Sequence, residues 1–275
     1  MSARLEKSID WGISGSRERI FVSSAFGCHY HCTYCYLKRM KVEGVQAYFK
    51  KEELLEGLRR KGIFVPGRQG SLITIGCFTE CLDEGNRKTT MDMIAYFLRQ
   101  GNYVQISTKK RISREDMSFI AGNIQYDNQM NLYVSLPTLS FARELEPDVD
   151  SPEMRVENLK GKREYGIHTC LYIKPVLEGI TIKDAKRYAQ LVNTYQVPAV
   201  VGELLDPTGK DTGNKGREKY IGNVCMTEHQ SNDCDQLTRY LGKYTRVYRN
   251  SDDMIKQMRE GWNNNESVCI TNGRS

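Results

Sequence analysis

Residues 20–36 read I-F-V-S-S-A-F-G-C-H-Y-H-C-T-Y-C-Y, an apolar run followed by three cysteines within eight residues. The first five residues, 20–24, have the composition of a buried strand, and they feed a glycine-marked polar loop. A cysteine loop at the end of a strand is a natural place for chemistry in a β/α sheet, whose functional loops sit at the C-terminal strand ends. The fold therefore turns on whether that first strand has successors.

It has five. S-L-I-T-I-G (71–76), Y-V-Q-I-S-T (103–108), N-L-Y-V-S-L (131–136), H-T-C-L-Y-I (168–173) and P-A-V-V-G-E (198–203) all read as strands. Helical patterns fall between them. Residues 51–61 start acidic and end basic, 89–101 close on Gly101, and 113–122 run from Ser113 to Gly122. Two more helices are expected at 151–165 and 181–194. Six β-α repeats imply a parallel sheet with right-handed crossovers, which fits a doubly wound sheet or a barrel. Polar residues tilt the choice to a barrel-like sheet. Cys28, Cys77, Thr79, Glu80, Thr108, Lys109, Ser135 and Lys174 all stand at or just past strand ends. After Leu205 the pattern breaks. Residues 206–223 read as a Gly-rich loop, followed by helical stretches near 233–241 and 251–261 and a polar tail. The expected organisation is a barrel over 1–205 and an appendage, 206–275, packed on it without a core of its own.

The totals narrow the class. The 275 residues carry a net charge of +6, which permits a polyanionic partner without requiring one. Residues 38–68 hold nine Lys/Arg against four Asp/Glu, and K-K-R at 109–111 adds to them. Such a patch tracks phosphates or forms a solvated helix face. No apolar run is long enough to span a membrane. The first residues lack the apolar core of a secretory signal, so a cytoplasmic location is expected. Nine cysteines in a reducing compartment argue for metal or catalysis where they cluster, and for packed thiols where they stand alone.

Cys28, Cys32 and Cys35 are spaced C-x-x-x-C-x-x-C. Structural zinc takes four ligands, so a zinc reading recruits His29 or His31 from the same cramped loop. A 4Fe–4S cluster has four iron corners, and three thiolates leave one corner open for a small molecule. The zinc alternative makes the chain a nucleic-acid-binding module. The cluster alternative makes it an enzyme.

C-x-x-x-C-x-aromatic-C after the first strand of a β/α chain resembles the signature of the radical SAM superfamily. The resemblance implies a partial (β/α)6 barrel, a 4Fe–4S cluster on Cys28, Cys32 and Cys35, and S-adenosyl-L-methionine on the open iron. It also implies an electron donor such as flavodoxin or ferredoxin. The reduced cluster cleaves the cofactor to a 5′-deoxyadenosyl radical, which abstracts hydrogen from substrate. Further motifs narrow the likeness. Cys77-Phe-Thr-Glu80, Ser107-Thr-Lys109, Val134-Ser135, L-E-P at 145–147, Met154-Arg155 and Y-I-K-P at 172–175 follow in order. This run, over about 20–205, resembles the spore photoproduct lyase-like branch.

The branch resemblance implies roles for individual residues. Tyr34 lies near the adenine. Lys109 and Ser135 contact the cofactor, Thr79 stands beside it, and Glu80 accepts from its ammonium. Cys77 falls at the place of a hydrogen-atom donor, and Tyr34 and Tyr36 at the places of two relay tyrosines. The implied substrate is a modified nucleobase in DNA, with a nucleoside, peptide or small metabolite as the alternative. Cys225, Cys234 and Cys269 are either packed or free thiols or, as in some members of the superfamily, ligands of an auxiliary cluster. Cys81 and Cys170 read as packed thiols.

Overall fold

The computed structural model describes residues 12–207, 217–221 and 224–260. Cys269 and residues 208–216 and 222–223 of the expected loop lie outside the described residues. The strands are β1 (Ile13–Gly15), β2 (Arg19–Val22), β3 (Ala25–Cys28), β4 (Gly44–Tyr48), β5 (Leu72–Ile75), β6 (Val104–Thr108), β7 (Met130–Ser135), β8 (His168–Ile173), β9 (Ala199–Val201), β10 (Leu205–Asp206), β11 (Arg217–Ile221), β12 (Val224–Glu228) and β13 (Val247–Tyr248). The main sheet has the order β1-β2-β5-β6-β7-β8-β9-β13. Every neighbouring pair in it is parallel except β1 with β2. This is an α/β partial barrel with the six expected parallel strands.

Period-two alternation sorts its side chains. Ile20, Val22, Ile73, Ile75, Val104, Ile106, Leu132, Val134, Leu171 and Ile173 share one apolar core with the helices outside. Burying each such side chain contributes about 1.5–3 kcal/mol. The alternate positions form the inner wall. Thr74, Gln105, Asn131 and His168 stand in register across β5, β6, β7 and β8. Parallel strands covered on both faces are usually apolar throughout. A polar row across four of them marks a lumen with work to do.

The helices are α1 (Tyr36–Arg39), α2 (Lys51–Lys61), α3 (Arg87–Arg99), α4 (Arg114–Ala121), α5 (Ala142–Leu145), α6 (Pro152–Val156), α7 (Gly161–Tyr165), α8 (Ala185–Tyr195), α9 (Asn232–Leu241) and α10 (Ser251–Glu260). Ser113 caps α4 by accepting from the Asp116 N–H, and Ser231 caps α9 by accepting from the Cys234 N–H. The helix expected over 151–165 is broken by a 3-10 turn at Glu157–Lys160. There Asn158 is buried, accepts from the Ile112 N–H and donates to the Lys110 carbonyl, tying the turn to the end of β6.

Seven strands, β1, β3, β4 and β10 to β13, were not expected from the sequence. β3 and β4 form a hairpin inside the cysteine region. Residues 217–221, expected as loop, form β11 and pair with β12, because each gains ladder bonds from the other. β13 lies in the presumed appendage, yet it pairs parallel with β9 and extends the main sheet. Met254 and Met258 of α10 then pack against Tyr133, Cys170 and Val200 from the inner wall. Among the described residues no helix is long and apolar enough to cross a membrane.

Candidate active site

The hairpin delivers the first cysteine. β3 and β4 pair with a bulge at Phe26/Gly27. Gly27 has φ +94°, and a Cβ there would lie 2.1 Å from the Gly44 carbonyl oxygen. Only glycine lets the two strands close. The Gly27 N–H donates to the Phe78 carbonyl (3.0 Å), and the Thr33 N–H donates to the Leu145 carbonyl (2.9 Å). The cysteine loop is thus pinned both to the segment after β5 and to the segment after β7.

One cavity of about 230 Å³ collects the residues singled out in the sequence. Cys28, Cys32 and Cys35 line it together with Tyr34, Tyr36, Cys77, Thr79, Glu80, Lys109 and Ser135. Cys32 is buried, and Cys28 and Cys35 are half-buried against Phe26, Leu37 and Phe78. Burial pushes the Cys28 and Cys77 thiols up to about 11. The two imidazoles considered as zinc ligands turn to carboxylates on other loops. His29 Nδ1 lies 2.8 Å from Asp83, and His31 Nδ1 lies 2.8 Å from Asp148. Cys234 is a buried residue of α9, and Cys225 is exposed on β12.

At the strand ends the polar groups hold one another. Glu80 Oε1 accepts from the Thr108 hydroxyl (2.5 Å), and Oε2 accepts from the Lys109 N–H (2.8 Å). Glu146, between α5 and α6, accepts from the Tyr34 hydroxyl and from Arg155 Nη2 (2.7 Å). Arg155 Nη1 donates to the Ser135 carbonyl (2.9 Å), and the Arg155 and Glu146 side chains are both 0 % exposed. Lys109 Nζ stands 3.9 Å from Glu146 and 5.6 Å from the centre of the Tyr34 ring. Burial acts to lower its pKa, but Glu146 and Cys32 raise it overall, so the ammonium keeps its charge. Neither contact is within hydrogen-bond reach, so its N–H donors are left for a ligand.

Cys77 and Tyr36 meet on the other side. The Tyr36 hydroxyl donates to the Cys77 carbonyl, and its ring packs edge-on against Phe78 at 6.4 Å. Burial raises the Tyr36 phenol well above its ordinary value, so it keeps its O–H. Gly76, at φ +91°, lets the chain turn so that Cys77 reaches the cavity.

The cavity continues down the lumen, where Arg19, Thr74, Gln105, Tyr133, Tyr172, Lys174 and Lys219 line it. Apart from Lys174, none of these stood out in the sequence as a site residue. Glu146 and Arg155 stood in quoted motifs without a role. The available signal was the polar residue in each inner-wall position. Burial, with Lys219 adding to it, pushes Lys174 down to about 8, and Glu228 lies 3.7 Å from its Nζ.

Among the described residues no three Cys, His, Asp or Glu side chains stand close enough to hold a metal as they are. By donor type, three soft thiols on one loop suit iron, and a half-buried ammonium with a strand-end hydroxyl suits an amino-acid carboxylate.

No family model and no curated protein matches this chain. Solved structures do match. A mutant of spore photoproduct lyase with bound AdoMet and dinucleoside spore photoproduct aligns with a TM-score of 0.61 at 12% identity, covering 84% of this chain and 76% of that one. A cysteine-to-alanine mutant of the same enzyme with dinucleoside spore photoproduct gives 0.60 at 13%, covering 82% and 75%. Streptococcus suis SuiB bound to the precursor peptide SuiA gives 0.59 at 14%, covering 90% of this chain and 52% of that one. Both proteins are radical SAM enzymes, and this chain shares their fold.

Proposed function

We propose that this chain is a radical SAM enzyme acting by hydrogen abstraction, with a spore photoproduct lyase-like reaction on a DNA nucleobase as its chemistry. The observation that carries the reading is that the three loop cysteines, the Lys109 ammonium and the Cys77 thiol all line one cavity at the strand ends. Cys28, Cys32 and Cys35 would hold a 4Fe–4S cluster, and Lys109 and Ser135 would hold S-adenosylmethionine. When bound and reduced, the pair supplies a 5′-deoxyadenosyl radical.

The chain's own residues do the rest. Glu146 and Arg155 hold Tyr34 and the Ser135 carbonyl in place, so Lys109 meets the cofactor in a prepared setting. The Cys77 thiol, kept protonated by burial, returns a hydrogen atom to the substrate radical and becomes a thiyl. The Tyr36 O–H, whose hydrogen bond goes to the Cys77 carbonyl, would then give its hydrogen atom to the thiyl, and the tyrosyl radical left behind would be quenched by a hydrogen atom passed from 5′-deoxyadenosine by way of Tyr34. Phe26, Leu37 and Phe78 shield this exchange from water. A second reading, radical modification of a peptide, draws support from the SuiB alignment, which covers 90% of this chain.

The test is anaerobic. After cluster reconstitution and reduction, 5′-deoxyadenosine is quantified with and without DNA carrying spore photoproduct. Thymine restored by the wild type and lost in Cys77→Ala is the expected result. Deoxyadenosine without thymine would move the substrate elsewhere, to a peptide first. No deoxyadenosine from an intact reduced cluster would sink the radical reading.

A further inference from the structure

The cations that line the lumen face it more directly than the carboxylates that balance them. Arg19, Lys174 and Lys219 line the cavity, while their partners Asp252 and Glu228 do not. The carboxylates that do line it are spent. Glu80 is held at the end of β6, and Glu203 accepts from the Ser231 N–H and hydroxyl and from Arg249 Nη2 (3.0 Å). Arg19 is spent as well, on Asp252 and Thr74.

Lys174 and Lys219 are not. Lys174 Nζ stands 3.7 Å from Glu228 and Lys219 Nζ 4.0 Å from Asp252, both beyond hydrogen-bond reach. Among the described residues neither ammonium donates a hydrogen bond, although their side chains are only 11% and 23% exposed. A buried charge is costly unless it is both paired and hydrogen-bonded. Burial, and after it Lys219, push Lys174 down, as befits a cation short of an anion. The backbone makes room for this lysine. A Cβ on Gly202 would lie 2.8 Å from Lys174 Cδ, so the glycine leaves the space that the lysine stem fills.

This pair lies apart from the groups around Lys109. The charges acting on Lys109 are Glu146, Cys32, Arg155 and Glu80, and those acting on Lys174 are Lys219, Glu228, Asp252 and Arg19. The two sets share no member. Cys77 feels Arg19, Asp252 and Lys174, which puts the ammonium pair on the side of the thiol.

The missing partner has a definable charge. Three cations against Asp252 and Glu228 leave one positive charge, which calls for a monoanion. A phosphodiester is a monoanion too, but it carries a branch on either side, and side chains this little exposed leave small room for both. A carboxylate is a terminal group and offers each ammonium one oxygen.

We infer that Lys174 and Lys219 form a subsite that anchors a carboxylate of the substrate beside Cys77. The inference rests on the cavity being the substrate site of the proposed enzyme. Of the substrates named above it favours the peptide, whose C-terminus or acidic side chains supply the group.

The test uses the full chain with reconstituted cluster and with S-adenosylmethionine filling the Lys109 side. Acetate, its neutral counterpart acetamide, and dimethyl phosphate are titrated by ligand-observed NMR, which reads weak binding. Acetate should bind at least about 10-fold more tightly than acetamide, the margin expected of a hydrogen-bonded charge. Lys174→Met should bring that ratio to near one. Lys219→Met, on a strand outside the main sheet, should lower it by a smaller factor and guards against misfolding of the first variant. A wild-type ratio of one, no binding of acetate, or a ratio unchanged in Lys174→Met would overturn the subsite. Dimethyl phosphate binding as tightly as acetate would overturn its assignment to a carboxylate. Substrate-free 5′-deoxyadenosine formation is measured on the same samples. Its loss with the ratio intact counts against the radical enzyme alone, and its persistence with the ratio at one counts against the subsite alone.

Discussion

The strand-end cluster and the lumen below it are both buried and both polar, but they handle their hydrogen bonds differently. At the strand ends, Glu80 spends both oxygens on β6, and Glu146 and Arg155 pair with neither side chain exposed. Below, Gln105 and Tyr133 keep polar atoms unpartnered. Arg155 Nε is left over at the strand ends as well, so the first region is organised by a buried ion pair and not by complete pairing, and the second holds neutral groups with two atoms unpartnered. For the cofactor proposed at the strand ends, groups set before it arrives would lower the cost of binding its charges.

The sharpest break in that comparison comes from the cysteines. Replacing Cys28, Cys32 and Cys35 by Ala should abolish iron binding and the brown colour of the reconstituted protein, and with them all 5′-deoxyadenosine formation. Thermal stability of the apo chain should change little. An iron-loaded triple variant would move the cluster elsewhere in the molecule.

Next is Arg155→Met. It strands the Glu146 carboxylate in a fully buried position and should destabilise the fold by about 3–5 kcal/mol, read by urea unfolding. Adding Glu146→Gln should recover much of that loss. If the single variant is as stable as wild type, the strand-end cluster is not self-organised.

A smaller effect is tied to pH. Lys174 falls from 10.5 to about 8 in the folded chain. The unfolded chain therefore binds the extra proton between these values, and this lysine contributes stability that grows as pH rises from 8 to 10.5 and is lost as pH falls through 8. The gain is about 3 kcal/mol at most. It should appear as a wild-type minus Lys174→Met difference in unfolding free energy across that range. A flat difference would mean that Glu228 keeps the lysine charged.

The smallest expected change is Tyr36→Phe. It removes one hydrogen bond to the Cys77 carbonyl and should cost about 1 kcal/mol. Substrate turnover should slow after the first cycle while 5′-deoxyadenosine formation in that cycle is unchanged. Equal multiple-turnover rates would remove Tyr36 from the hydrogen relay.

Much of this molecule was legible in its sequence. The six strands and their helices are local patterns: apolar alternation, a Ser at a helix start, a Gly at a stop. Their order alone implies a parallel sheet. The strand-end residues were visible for the same reason, since a side chain just past a strand of such a sheet must face the site. Cys28, Cys32 and Cys35 were visible because they stand within eight residues of one another on one loop.

What remained hidden depends on chain segments far apart. Arg155 looks like any helix arginine until Glu146 and the Ser135 carbonyl surround it. Gln105 looks like a strand polar residue until Thr74 takes its amide and leaves its oxygen alone. β13 is two residues long and has no pattern of its own, and it exists because β9 offers an unpaired edge. Sequence by itself determined the six parallel strands, most of the helices and which loop carries the thiols, because propensity and periodicity act over a few residues. Only the tertiary structure decided which buried polar atoms are satisfied and which are left open, because a hydrogen bond is a matter of ångströms between strands that the chain order keeps dozens of residues apart.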